Sequence, residues 1–184
     1  MGRLRIIPTV LAGLALAGCG ASPAAPGSEE PGADPTICET RPLGDPCKFG
    51  QTAIYVDEVR AGTVSLEITV EEPVEFDPSP DASILHDLPP GPVNVYFPVT
   101  VKNTSAETST DMAFGQATNA EQGKYDGIRM ISDGDIESVF PDIQHLAQGE
   151  GMTFKHGWTM DTLDGIEYEV SIDGLSGYSF KFVR

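Results

Sequence analysis

Apolar residues recur at every second position through much of this chain. Val64, Leu66, Ile68 and Val70 alternate with Ser65, Glu67 and Thr69, and Val93, Val95, Phe97, Val99 and Val101 follow the same rule. Met152, Phe154, His156, Trp158 and Met160 share one parity. So do Ile166, Tyr168, Val170 and Ile172, and then Tyr178, Phe180 and Phe182. Successive side chains of a strand point to opposite faces, so this period describes strands with one face buried and the other wet. Weaker patterns predict strands over 52–59 and 127–132, with a short one near 112–117. No stretch sustains a helical period beyond about two turns. Ser138 to Leu146 predicts at most one short helical turn, interrupted at Pro141.

Turn signals punctuate the runs. Asp126-Gly127, Asp133-Gly134, Asp164-Gly165 and Asp173-Gly174 are pairs in which both residues tolerate positive φ. The last three strands follow one another closely, which predicts an antiparallel meander. Seven or eight short strands with polar connections argue for an all-β antiparallel sandwich, with a closed barrel as the alternative. The connection from Asp77 to Pro92, with five prolines, is long for a strand link and reads as an elaboration.

The amino-terminal segment has a different logic. Arg3 and Arg5 precede an apolar run from Ile6 to Ala17, and small residues follow, the three parts of an export signal. The run is too short for the roughly 20 residues that a membrane-spanning helix needs. Leu16-Ala17-Gly18-Cys19 resembles the lipobox of bacterial lipoproteins. That resemblance implies a diacylglyceryl group on the Cys19 thiol, cleavage before it, and further acylation of the new amino terminus. One acyl chain alone gives only marginal membrane binding. The other reading is a plain secretory signal with an incidental cysteine. Gly20 to Thr36 is built from Ala, Ser, Pro, Gly and acids and cannot offset its ordering entropy, so it predicts a disordered tether. The expected organisation is a lipoprotein signal peptide at 1–18, the lipidated cysteine and tether at 19–37, and one folded domain at 38–184.

Cys38 and Cys47 are then the remaining cysteines. Outside the cytoplasm an isolated pair predicts a disulfide, closing a loop with Pro42, Gly44 and Pro46 inside it. Their spacing is too wide for a redox C-x-x-C pair, and no further cysteine completes a zinc site. The chain carries 28 acidic against 11 basic side chains, a formal charge of −17. Such a surface disfavours nucleic acid and anionic lipid and attracts cations or basic partners, or serves solubility alone.

Val99-Thr-Val-Lys-Asn-Thr-Ser105 resembles a strand and turn of actinobacterial-type lipoproteins that carry a telokin-like, immunoglobulin-like domain. The lipobox, the tether, the strand over 63–70, and the Gln148-Gly-Glu-Gly-Met152 segment before a late strand agree with it. The resemblance implies an immunoglobulin-like sandwich that is secreted or tethered at the surface, with a binding or structural role rather than catalysis. The Cys38–Cys47 loop departs from the pattern.

Candidate chemistry is sparse. Gly174-Leu-Ser-Gly-Tyr178 falls short of G-x-S-x-G because Tyr178 stands where glycine is needed, so Ser176 reads as a turn residue. His86, His145 and His156 are far apart and form no H-E-x-x-H. His156 shares its apolar face with Trp158 and reads as a satisfied histidine at the edge of the core, while His86 and His145 read as ordinary exposed ones. Asp133, Asp135 and Glu137 lie within five residues, and Asp161 and Asp164 bracket another turn, yet neither segment has EF-hand spacing. Asn103-Thr-Ser105 matches the glycosylation pattern, which carries no weight in a bacterial lipoprotein. Tyr96 is expected to point away from Val95 and Phe97. No catalytic, cofactor or metal residue is assigned. The expected protein is a lipid-anchored, non-enzymatic module on the extracytoplasmic face of the cell membrane, with an envelope protein or extracellular ligand as partner. The alternatives are an envelope hydrolase whose site assembles from loops, and a calcium-stabilised domain.

Overall fold

The alternating runs become strands because one parity of each can leave water together. In the computed structural model, which describes residues 34, 36–59, 62–84, 89–105, 113–119, 127–172 and 178–184, Val64, Leu66, Ile68 and Val70 are wholly buried, as are Val95, Phe97, Val99 and Val101. Thirteen strands occur among the described residues: β1 (Ile37–Glu39), β2 (Cys47–Lys48), β3 (Thr52–Val59), β4 (Gly62–Val70), β5 (Val74–Glu75), β6 (Ser83–Ile84), β7 (Val93–Asn103), β8 (Ala113–Asn119), β9 (Arg129–Ser132), β10 (Ile136–Glu137), β11 (Gly151–Met160), β12 (Ile166–Ile172) and β13 (Ser179–Val183). Five of them are two or three residues long, which is why the count exceeds the seven or eight expected.

Two sheets pack face to face as an immunoglobulin-like sandwich. The larger runs β1-β3-β4-β7-β11-β9-β6, with β10 on β11 and β5 on β7, and the smaller runs β2-β13-β12-β8. In the larger sheet, β7 and β11 are in register along their length, setting Phe97 beside His156 and Val95 beside Trp158. Tyr168, from β12, meets Phe97 with ring centroids 4.8 Å apart. That contact lies in the core between the sheets.

Three expectations are corrected. The last three long strands do not form one meander: β11 joins the larger sheet, while β12 and β13 pair in the smaller one. Both edges of β11 are already taken, by β7 on one side and β9 with β10 on the other, so the chain turns at Asp164-Gly165 and crosses over. The sandwich is not purely antiparallel, because β1 on β3, β10 on β11 and β2 on β13 are parallel pairs. The stretch 138–146 contains no helix; Pro141 interrupts it, and its apolar residues Phe140, Ile143 and Leu146 enter the core from an irregular path. The long connection before β7 contributes β6, which pairs with β9.

Candidate functional site

His156 is a titratable side chain on an inward face, among the apolar rings of the core. It is completely buried on β11, with Nδ1 2.6 Å from the Tyr168 hydroxyl on the opposing sheet. The Trp158 ring stands edge-on at 5.1 Å, and Phe140 and Phe154 complete the surroundings. Burial pushes the imidazole down to about 4, with the Ser138 backbone opposing, and burial raises the Tyr168 phenol far above its usual range. The neutral phenol and the imidazole share one hydrogen bond at Nδ1, whose donor is set by the ring tautomer. Gly115 on β8 makes room for the pair, since a Cβ there would overlap the Tyr168 hydroxyl. The group is a clasp between the two sheets, out of reach of substrate. His156 thus lies inside the core rather than at its edge.

The other sequence candidates are dispersed. His145 is exposed, 3.5 Å from the Asp142 carboxylate. The Asp133 carboxylate accepts hydrogen bonds from the Ser79 N–H and hydroxyl at 2.7 and 2.6 Å, and those two bonds hold its pKa down. Asp135 pairs with Lys155 at 2.7 Å, and Glu137 points to solvent. Asp161 and Asp164 are exposed at their turn. Among the described residues, no three acidic, histidine or cysteine side chains converge as metal ligands. Asn103 is buried, its amide donating to the Leu146 carbonyl at 2.8 Å and accepting from Ser105, so the matched sequon is an internal peg. Tyr96 does face outward, where the Lys155 ammonium lies 5.2 Å from its ring. Cys19, His86 and Ser176 lie outside the described residues.

Among the features presented outward by the described residues is the loop between Cys38 and Cys47, which are bonded to each other. Cys38 is on β1 of the larger sheet and Cys47 on β2 of the smaller, so the bond ties one sheet to the other. Within the loop the Gly44 N–H donates to the Arg41 carbonyl at 3.0 Å, closing a turn with Pro42 and Leu43 in its centre. Leu43 has φ +58° and is fully exposed. Beside the loop lies a cleft of about 260 Å³ bounded by Arg41, Leu43 and Pro46, by Glu167 of β12, and by Ser179, Lys181 and Val183 of β13. A second hollow borders Arg41 and Pro46 together with Glu39 and Asp45. The sequence announced a turn through Pro42 and Gly44 but had no signal for Leu43 in the left-handed region. No family model, curated protein or solved structure matches the chain.

Proposed function

We propose that the protein is a non-enzymatic binding or structural module of the bacterial cell envelope, held at the extracytoplasmic face of the membrane by lipid on Cys19. The observation that carries the binding role is the disulfide-tied loop, which holds Leu43 out in water beside a cleft. Isolated exposed apolar residues are ordinary, but one held rigidly at the rim of a concavity suits a partner surface. The candidate base His156 is committed to Tyr168 in the core and has no route to a substrate. The anchor rests on the Leu16-Ala-Gly-Cys19 resemblance and the tether composition. The test of the non-enzymatic role is a screen of the purified protein against esterase, peptidase, glycosidase and phosphatase substrates. No turnover is expected. A reproducible activity that His145→Ala or Ser176→Ala abolishes, with the thermal midpoint unmoved, overturns it.

A further inference from the structure

We infer that the cleft beside the disulfide loop receives an extended segment of a partner polypeptide, one that sets an apolar side chain next to a carboxylate. This rests on the binding-module reading and adds the site and the partner's chemistry.

Three observations converge. Leu43 occupies the third position of its turn with φ +58°, where glycine or asparagine is the unstrained choice. It is also fully exposed, and the two costs coincide on one residue. A side chain kept there offers its surface to something outside the fold. Next, Arg41 borders the cleft with no carboxylate partner among the described residues, in a chain where acids outnumber bases 28 to 11. Lys102, Lys155, Lys181 and Arg184 each hold an acid. Glu167 also lines the cleft but is engaged by Lys181 at 2.6 Å, so Arg41 is the charge there without an opposite partner among the described residues, and a guanidinium favours a carboxylate. Finally, β2 pairs with β13 at Phe182 and Val183, and the cleft opens alongside Ser179 and Lys181, upstream of that pairing. An extended segment continues the line of β2 there, its apolar side chain against Leu43, Pro46 and Val183 and its carboxylate on Arg41. The Cys38–Cys47 bond pre-orders the loop, which lowers the entropy cost of binding.

The experiment is an amide NMR titration of the ¹⁵N-labelled full chain with the peptide acetyl-Ala-Asp-Leu-Ala-amide at millimolar concentration. The counterpart with Lys in place of Asp is run beside it. Shifts at Gly44, Ser179 and Lys181 with the acidic peptide alone are expected. Arg41→Gln should weaken binding about tenfold, the worth of one charge-assisted hydrogen bond. Leu43→Asn, which suits the turn, should abolish the shifts without lowering the thermal midpoint. Equal response to the basic peptide, shifts confined to another face, or no shift overturns this site and leaves the module reading standing. Self-association through Leu43 with no peptide response also overturns it, by making a second copy the occupant. Cleavage of the peptide during the titration overturns both readings.

Discussion

Burying a titratable ring between two sheets couples the fold to pH. The unfolded chain takes up a proton at His156 below about pH 6.5, whereas the folded chain holds the ring neutral until about 4. Between those values unfolding binds a proton, so stability falls as pH falls, by up to about 3 kcal/mol from this group. Above the window both states are neutral and below it both are charged, so the loss is confined to it. Urea midpoints measured from neutral to mildly acidic pH should fall more steeply for the native chain than for His156→Gln; parallel curves would refute the assignment. His156→Ala opens space beside Trp158 and should cost about 2–5 kcal/mol, while the exposed His145→Ala should leave the midpoint unchanged. Gly115→Ala tests the same clasp from the other sheet. Its methyl would collide with the Tyr168 hydroxyl and lie 2.7 Å from the Phe140 ring, costing about 1–3 kcal/mol in urea unfolding.

At the scale of elements, the weight falls on β1 and β2. Each is too short to hold its place by pairing alone, with three and two residues against β3 and β13. The Cys38–Cys47 bond joins them and thereby the two sheets. Closing a loop of this length stabilises by roughly 2–3 kcal/mol in the chain-entropy estimate. The double variant Cys38→Ala, Cys47→Ala should lose that much in denaturant unfolding and should respond to the peptide more weakly, because the loop is no longer pre-ordered. Alkylation without reductant that labels both thiols of the native protein would refute the bond. Element boundaries were legible where the alternation is strict: β12 spans the expected Ile166–Ile172. Partnership was not. The parity of β11 marks Met152, Phe154, His156, Trp158 and Met160 as one face, yet Gly157 and Thr159 on the other face are buried too. Ile136 of β10 and the Ile131 carbonyl crowd Gly157, and a period-two pattern has no means of announcing that second layer.

For the whole molecule, the proposed anchor at Cys19 and the folded domain answer to separate experiments. Cys19→Ala should release the protein from membranes or leave an uncut precursor, with the unfolding midpoint of the domain unchanged; mass spectrometry showing unmodified Cys19 in the native mature protein would sink the anchor. The sequence by itself determined the all-β class, most strand positions and the inward parity of His156, because these follow from where each side chain points along an extended backbone. It also determined the Cys38–Cys47 pairing, since no third cysteine competes within the domain. Tertiary structure alone decided which sheet each strand joins, because pairing depends on which edges earlier strands have already filled. It alone brought Tyr168 onto His156, residues on different strands of different sheets. It alone set Leu43 in the left-handed region beside β13, since no local preference of leucine favours that conformation. Side-chain direction is a local property of the chain, whereas partnership and exposure depend on everything else that has folded around it.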